Sequence, residues 1–274
     1  MVRLLVAEGN SNEDRRQIVA AAGRSMADAY ADTLRLIDPA LSIDTFSPAD
    51  ESDGLPAPLG SYDGVVITGS SLHVYRLAPA VTRQIEFLRE VYALGVPVFG
   101  SCWGLQLGVA AAGGRVVANP RGREVPFATG ITLTEAGQTH PMHRSRPASY
   151  DALAIHADIV AELPPGAMVT AFNGMAAVQA AEFRVGRSRF FGVQYHPEFE
   201  LPYMAAILRR NAPSLIAERS VRSEAELMAL IDQMESHGPD PAPTSADARP
   251  AISDDIRDRK TRLTEIINWI GSIG

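Results

Sequence analysis

A cysteine flanked by glycines, between an apolar segment and a helical one, is the feature that most constrains this chain. The motif Gly100-Ser101-Cys102-Trp103-Gly104 comes directly after the apolar residues 96–99, and helical character resumes over residues 105–112. Such a sharp strand-to-helix turn, a nucleophile elbow, lifts the central side chain above the edge of a parallel sheet. Glycines fit there because a side chain would collide with the neighbouring strand or helix. The motif predicts an α/β fold with Cys102 as a nucleophile.

Cys102 is also the single cysteine of the sequence. An internal disulfide and a multi-cysteine metal site are therefore excluded. The start of a helix behind the thiol adds positive potential, which favours a thiolate. The alternative is a small buried apolar residue, as lone cysteines often are, but the elbow favours the reactive interpretation. A free thiol suits a reducing compartment.

Strand-like and helix-like segments alternate in the first part of the chain. Apolar runs at residues 2–7 and 64–68 and an extended pattern at residues 41–46 predict strands, and residues 12–37 and 80–94 have helical periodicity. This rhythm predicts a doubly wound, mostly parallel sheet of the flavodoxin-like type. Between residues 115 and 194, short extended pieces separated by Pro, Gly and Asn turns predict added antiparallel strands.

The C-terminal part is predicted to be helical, over residues 201–219, 224–236 and 253–270. A Pro-rich segment near 238–250 is typical of a linker. We therefore predict a catalytic domain over residues 1–210 and a helical C-terminal extension over residues 211–274. The sequence leaves open whether the tail packs on its own domain or on a second subunit, so a homo-oligomer is possible.

A base for the thiol is present at the end of a second apolar strand, residues 189–194. There His196 and Glu198 flank Pro197, and extended geometry places residues two apart on the same face. A carboxylate beside an imidazole fixes its tautomer and stabilises the imidazolium. The alternative for this motif alone is a surface turn. Together with the elbow, it indicates a Cys-His-Glu triad.

These motifs resemble those of the class I, or triad-type, glutamine amidotransferases, over most of residues 1–200. Residues 100–106 match the nucleophile motif of that family, and residues 195–198 match its histidine-glutamate motif. Residues 67–75 match the loop that supplies the second oxyanion-hole amide. Here the chain has Gly69-Ser70-Ser71, where the family usually has two glycines and a proline.

The resemblance implies a role for each matched residue. Cys102 attacks the γ-carbonyl of glutamine, His196 transfers protons and Glu198 orients it, while the backbone amides of Ser70 and Trp103 hold the oxyanion. The segments 121–125 and 154–158 resemble the middle region of the GMP synthase branch. The substrate-binding residues implied in this way are Gly69, Gln106, Arg123, Glu124 and His156. For His156, a structural role in a loop is the equal alternative.

The remaining chemistry-bearing residues exclude other classes. The net charge is −7 and the basic residues are dispersed, so we predict that the protein does not bind nucleic acid. His140 and His143 flank a proline in a predicted loop without a further ligand, so we predict no metal site, and the family resemblance implies no cofactor.

No run approaches about 20 apolar residues and the N-terminus lacks a signal-peptide layout, so we predict a cytoplasmic protein without a membrane span.

Three functions fit this sequence. The leading hypothesis is a stand-alone glutamine amidotransferase that hydrolyses L-glutamine and delivers ammonia to a separate synthetase, because only about 75 residues follow Glu198, fewer than a further catalytic domain needs. The second is a γ-glutamyl hydrolase acting on γ-glutamyl amines or peptides. The third, a catalytically silent module, is disfavoured by the intact triad. Other α/β families with a cysteine elbow lack the His-Pro-Glu strand end.

Overall fold

Strands and helices alternate along the chain, as the apolar pattern predicts. A computed structural model describes residues 1–51, 54–236 and 252–273. The first elements are β1 (Arg3–Ala7), α1 (Asn12–Ala22), α2 (Met26–Ile37), β2 (Ser42–Phe46), β3 (Gly64–Ile67), α3 (Pro79–Leu94), β4 (Val98–Ser101) and α4 (Trp103–Ala111). The middle region is mainly extended: β5 (Arg115–Ala118), β6 (Phe127–Leu133), α5 (Glu135–Gln138), β7 (Ser149–Leu153), β8 (Asp158–Glu162), β9 (Met168–Phe172), β10 (Ala180–Val185) and β11 (Ser188–Val193). The chain then continues through α6 (Leu201–Ala217), α7 (Glu224–Ser236), α8 (Asp254–Arg257), α9 (Arg259–Arg262) and α10 (Thr264–Ile273).

One large sheet organises the described residues. Its strand order is β2-β1-β3-β4-β11-β10-β9-β6-β7. The five strands from β2 to β11 pair in parallel, and the four from β10 to β7 continue in antiparallel fashion. Strands β5 and β8 form a separate antiparallel pair. The mostly parallel sheet with added antiparallel strands is confirmed.

Both faces of β1, β3 and β4 are buried, which explains why these central strands are mainly apolar, whereas the edge strand β2 is partly exposed. Leu5 and Val65 pack on one face with residues of α3 and α4. Leu4 and Val66 pack on the opposite face with residues of α2 and α10. Helices therefore cover the sheet on both sides, as in a doubly wound fold.

The prediction of one helix over residues 12–37 was wrong. Gly23 adopts φ 78° and ends α1, a left-handed conformation that glycine tolerates without a Cβ penalty. Ser25 then caps α2 by accepting a hydrogen bond from the backbone N–H of Asp28. The apolar spacing continues across this break, so periodicity alone does not reveal it.

The C-terminal helices α6 and α7 follow the prediction, whereas residues 253–270 do not form one helix. Asp258 and Leu263 separate α8, α9 and α10. The predicted linker near 238–250 lies outside the described residues, which resume at residue 252. The predicted boundary between the catalytic domain and the C-terminal extension, after residue 210, lies inside α6. The division of the chain into these two parts stays a prediction. No helix in the described ranges has the length and apolar character needed to cross a membrane.

The C-terminal tail packs on its own domain. The ring of Trp269 lies 5.7 Å from that of Phe99, measured between centroids. Buried Glu265 accepts hydrogen bonds from Arg146 at 2.9 and 2.5 Å and pairs with His143 at 3.1 Å. Because Arg146 and His143 belong to the loop between α5 and β7, the tail is fixed by apolar contacts and by a buried ionic network.

Candidate active site

The cysteine elbow has the backbone geometry that its sequence predicts. Cys102 adopts φ 53° and ψ −103° between β4 and α4, a sparsely populated conformation for a residue with a side chain. Its backbone N–H donates to the carbonyl of Val193 at 2.7 Å. A Cβ atom on Gly104 would lie 2.5 Å from the carbonyl oxygen of Ile67. The second glycine is therefore required by close approach of α4 to β3.

The sheet brings the cysteine and its predicted base together. Strands β4 and β11 are parallel neighbours, with Ser101 paired to Val193. Because both strands end at the same edge of the sheet, Cys102 and His196 lie side by side after them. The carboxyl ends of parallel strands are where α/β sheets usually bind ligands.

His196 is held by several contacts. Its Nδ1 lies 2.7 Å from Oε1 of Glu198, and its ring stacks on Phe199 with 4.0 Å between centroids. A Cβ atom on Gly69 would lie 2.6 Å from Cε1 of His196, so only glycine leaves space for the ring there. With Nδ1 engaged by the carboxylate, Nε2 is the nitrogen available to Cys102.

The charges around His196 favour its protonated form. Burial alone would lower the pKa of His196, but the charges of Glu198 and Cys102 and hydrogen bonds to both raise it to about 10. The ring is therefore an imidazolium at neutral pH.

Two backbone amides are available beside Cys102. Within the described residues, the N–H groups of Ser70 and Trp103 donate no hydrogen bond to a protein acceptor, and no side chain caps the first turn of α4. Ser70 and Cys102 line the same cavity. These are the two amides predicted to hold an oxyanion, and that role remains a prediction.

The loop that carries Ser70 is supported by residues that sequence reasoning missed. Buried Asn10 accepts from the backbone N–H of Ser71 at 3.1 Å and donates to Glu8 Oε1 at 2.7 Å. Glu8 also accepts from the backbone N–H of Ala27 at 2.8 Å. Their signal was present in the sequence, since Glu8 and Asn10 are polar residues directly after a buried strand that ends at the same sheet edge.

Glu124 and His156 contact each other, away from the Cys102 cavity. Nε2 of His156 lies 2.8 Å from Oε2 of Glu124, and Nδ1 lies 3.0 Å from the carbonyl oxygen of Asp158. Glu124 accepts further bonds from Asn173 at 2.6 Å and Gln179 at 2.7 Å. Both side chains are saturated within the protein, and neither lines the cavity at Cys102. Their predicted contact with substrate stays untested.

Gln106 and Arg123 differ in their positions. Gln106 is buried and donates to the carbonyl of Asp158 at 3.1 Å and to Gln194 at 3.3 Å. Arg123 lines the Cys102 cavity while its guanidinium makes two hydrogen bonds to Glu218, at 2.9 and 3.1 Å. Of the predicted substrate-binding side chains, Arg123 alone reaches this cavity. The lining residues are Asn10, Ile18, Met26, Ser70, Ser71, Cys102, Arg123, Ile155, His196, Ile207, Arg210 and Asn211.

The fold and the site define a class of cysteine-based amide hydrolases, and comparison with known proteins gives the family. The model of the family "Glutamine amidotransferase class-I" matches residues 20–212. The chain therefore belongs to the class I glutamine amidotransferase family. The resemblance inferred from the motifs is confirmed.

Two relatives differ in how much of their length the chain spans. A gamma-glutamyl-L-1-hydroxyisopropylamide hydrolase from Pseudomonas sp is 42% identical over 222 residues, covering 80% of this chain and 75% of the relative. The glutamine-hydrolysing GMP synthase of Thermomicrobium roseum is 31% identical over 148 residues, covering 54% of this chain and 25% of the synthase. The chain thus spans about a quarter of the synthase.

Solved structures show the same fold. A glutamine amidotransferase from Thermotoga maritima superposes with a TM-score of 0.69 at 16% identity, covering 99% of this chain and 97% of the other. A glutamine amido transferase from Methylobacillus flagellatus gives 0.66 at 18% identity, with 100% and 95% covered.

Proposed function

We propose that this protein hydrolyses the amide bond of N-substituted γ-glutamyl compounds through a Cys102-His196-Glu198 triad. The observation that carries the proposal is the pairing of β4 with β11, because it places a strained cysteine beside an imidazole held by a carboxylate. The relative from Pseudomonas supports the choice of substrate class, since it covers four-fifths of the chain and is named as a γ-glutamyl amide hydrolase.

In the first half-reaction, Sγ of Cys102 attacks the γ-carbonyl carbon. The N–H groups of Ser70 and Trp103 donate to the oxyanion, a contribution of about 10²–10³ in rate per donor. Nε2 of His196 gives its proton to the leaving nitrogen as the C–N bond breaks. The amine departs and the γ-glutamyl group remains on Cys102 as a thioester.

In the second half-reaction, a water molecule attacks the thioester. Nε2 of His196 accepts a proton from this water, and Glu198 stabilises the imidazolium that forms. The C–S bond breaks, glutamate leaves, and Cys102 returns to its starting state.

A second candidate is a glutamine amidotransferase that passes ammonia to a separate synthetase. It is favoured by the match to GMP synthases, which covers about half of this chain. The two candidates share the triad and differ in the group that leaves.

A substrate panel separates the candidates. We expect kcat/KM for a γ-glutamyl alkylamide or hydroxyalkylamide to exceed that for glutamine, when glutamate release is measured with the purified full chain. Cys102→Ala should reduce all these activities by about 10⁴-fold or more, because the nucleophile is lost. Cys102→Ala with full turnover would refute the triad, and a clear preference for glutamine would support the second candidate.

A further inference from the structure

Arg210 lines the Cys102 cavity but has no part in the steps described above. Helix α6 begins three residues after Glu198 and passes over the cavity. Ile207, Arg210 and Asn211 are spaced three and four residues apart, so they share one face of this helix. All three line the cavity together with Cys102 and His196.

The guanidinium of Arg210 is held in place by α1. Its Nη2 lies 2.9 Å from Oε1 of Gln17 and 3.3 Å from Oδ1 of Asp14. The side chain is 17% exposed. Its Nε is buried and has no hydrogen-bond partner in the described part of the chain. A buried donor without an acceptor is unfavourable, so an acceptor from a ligand would complete this site.

The second arginine of the cavity is engaged differently. Both Nε and Nη2 of Arg123 donate to Glu218, whereas Nε of Arg210 is unpaired. Of these two Nε atoms, that of Arg210 is therefore the one without an acceptor in the described part of the chain.

Position relative to His196 indicates which half of the substrate reaches Arg210. In the proposed reaction the leaving nitrogen must lie within hydrogen-bonding distance of Nε2 of His196. His196 and the α6 residues Ile207 and Arg210 line the same cavity, so an amine bound beside His196 can extend to this face of the helix. Ile18, Met26 and Ile207 offer apolar contacts for the carbon skeleton of that amine.

We propose that Arg210 is a specificity-determining residue that donates a hydrogen bond to an oxygen on the leaving amine. The oxygen belongs to a hydroxyl or a carboxylate, both of which are acceptors for a guanidinium. This inference rests on the proposed γ-glutamyl amide hydrolysis and names the substrate group that the enzyme recognises.

Three substrates with one carbon skeleton test the inference: γ-glutamyl isopropylamide, γ-glutamyl-1-hydroxyisopropylamide and γ-glutamylalanine. They differ only in a methyl, a hydroxymethyl or a carboxylate group on the amine. In Arg210→Met, kcat/KM for an oxygen-bearing substrate should fall about 10- to 100-fold more than that for the isopropylamide, since a charge-assisted hydrogen bond is lost. The substrate with the larger loss identifies the oxygen as hydroxyl or carboxylate.

The ratio of kcat/KM values within one variant does not depend on the amount of folded enzyme, so a smaller folded fraction cannot imitate the effect. Arg209→Met is the matched control, because Arg209 is exposed and pairs with Glu235 at 2.8 Å; its ratios should equal those of the wild type. Arg210→Lys retains the charge and should fall between the wild type and Arg210→Met.

The outcomes separate the two proposals. If the wild type hydrolyses all three amides and Arg210→Met lowers them equally, the role of Arg210 is refuted while the proposed function stands. If the wild type hydrolyses none of the three, the proposed function fails, and with it the inference.

Discussion

Two of the buried histidine-carboxylate pairs among the described residues have different surroundings. His196 is 2.7 Å from Glu198, and His156 is 2.8 Å from Glu124. Around His156, both ring nitrogens are engaged by Glu124 and by a backbone carbonyl. Around His196, the carboxylate takes Nδ1, and Nε2 faces the thiol of Cys102 at a cavity.

The difference shows what makes such a pair suitable for catalysis. Glu124 is satisfied by the side-chain amides of Asn173 and Gln179 as well as by His156, so this network is closed. The pair at His196 retains one nitrogen for a reacting atom. A short histidine-carboxylate distance is therefore no sufficient sign of an active site.

Among changes to the two histidine-carboxylate pairs, the largest effect is expected from Glu198→Gln, which removes the charge that orients and stabilises the His196 imidazolium. kcat/KM should fall by about 10³–10⁴-fold, as when the acid of a catalytic triad is neutralised. Steady-state glutamate release measures it. Glu200→Gln is the matched control, because Glu200 is two residues away and pairs at 3.8 Å with Arg24. Similar activity in both variants would remove Glu198 from the triad.

Glu124→Gln should chiefly affect stability. An amide at this position turns a donor towards the donors of Asn173 and Gln179, so we expect a loss of about 3 kcal/mol in the free energy of unfolding. Urea denaturation measures this loss, with the exposed Glu162→Gln as a control expected to leave the free energy of unfolding nearly unchanged. A rise in KM of the folded variant, with stability unchanged, would instead support the predicted contact of Glu124 with substrate.

The smallest effect concerns pH. The folded-state pKa of His196 is raised to about 10 from an ordinary value of 6.5, so its stabilising contribution is complete below pH 6.5 and is lost as the pH rises through 10. Between pH 7.5 and 8.5 the free energy of unfolding should fall by about 1 kcal/mol more in the wild type than in His196→Gln. Parallel denaturation series test this. Equal slopes would show that His196 is neutral in the folded protein.

Much of this site could be predicted from sequence because its residues follow apolar strands. The elbow at Cys102 and the His196-Glu198 motif both come directly after buried runs, and parallel strands end at one edge of the sheet. The same rule applies to Glu8 and Asn10 after β1, but no catalytic pattern singled them out.

Other features depend on contacts that local sequence does not encode. Arg210 reaches the cavity only because α6 folds back over the sheet edge and pairs with α1. The saturation of His156 depends on Asn173 and Gln179, which lie in a different part of the chain. The break at Gly23 was missed for another reason, since apolar spacing continues on both sides of it.

The position of β11 has a consequence for the order in which the site forms during folding. It is the last strand of the described residues, yet it lies in the interior of the sheet, between β4 and β10. Residues of β4 and its cysteine are made some 90 residues before His196. Until β11 inserts, the thiol has neither its base nor the carbonyl of Val193 that holds its backbone N–H. The proposed reactivity of Cys102 thus requires the completed sheet and is acquired in the same step that closes its centre.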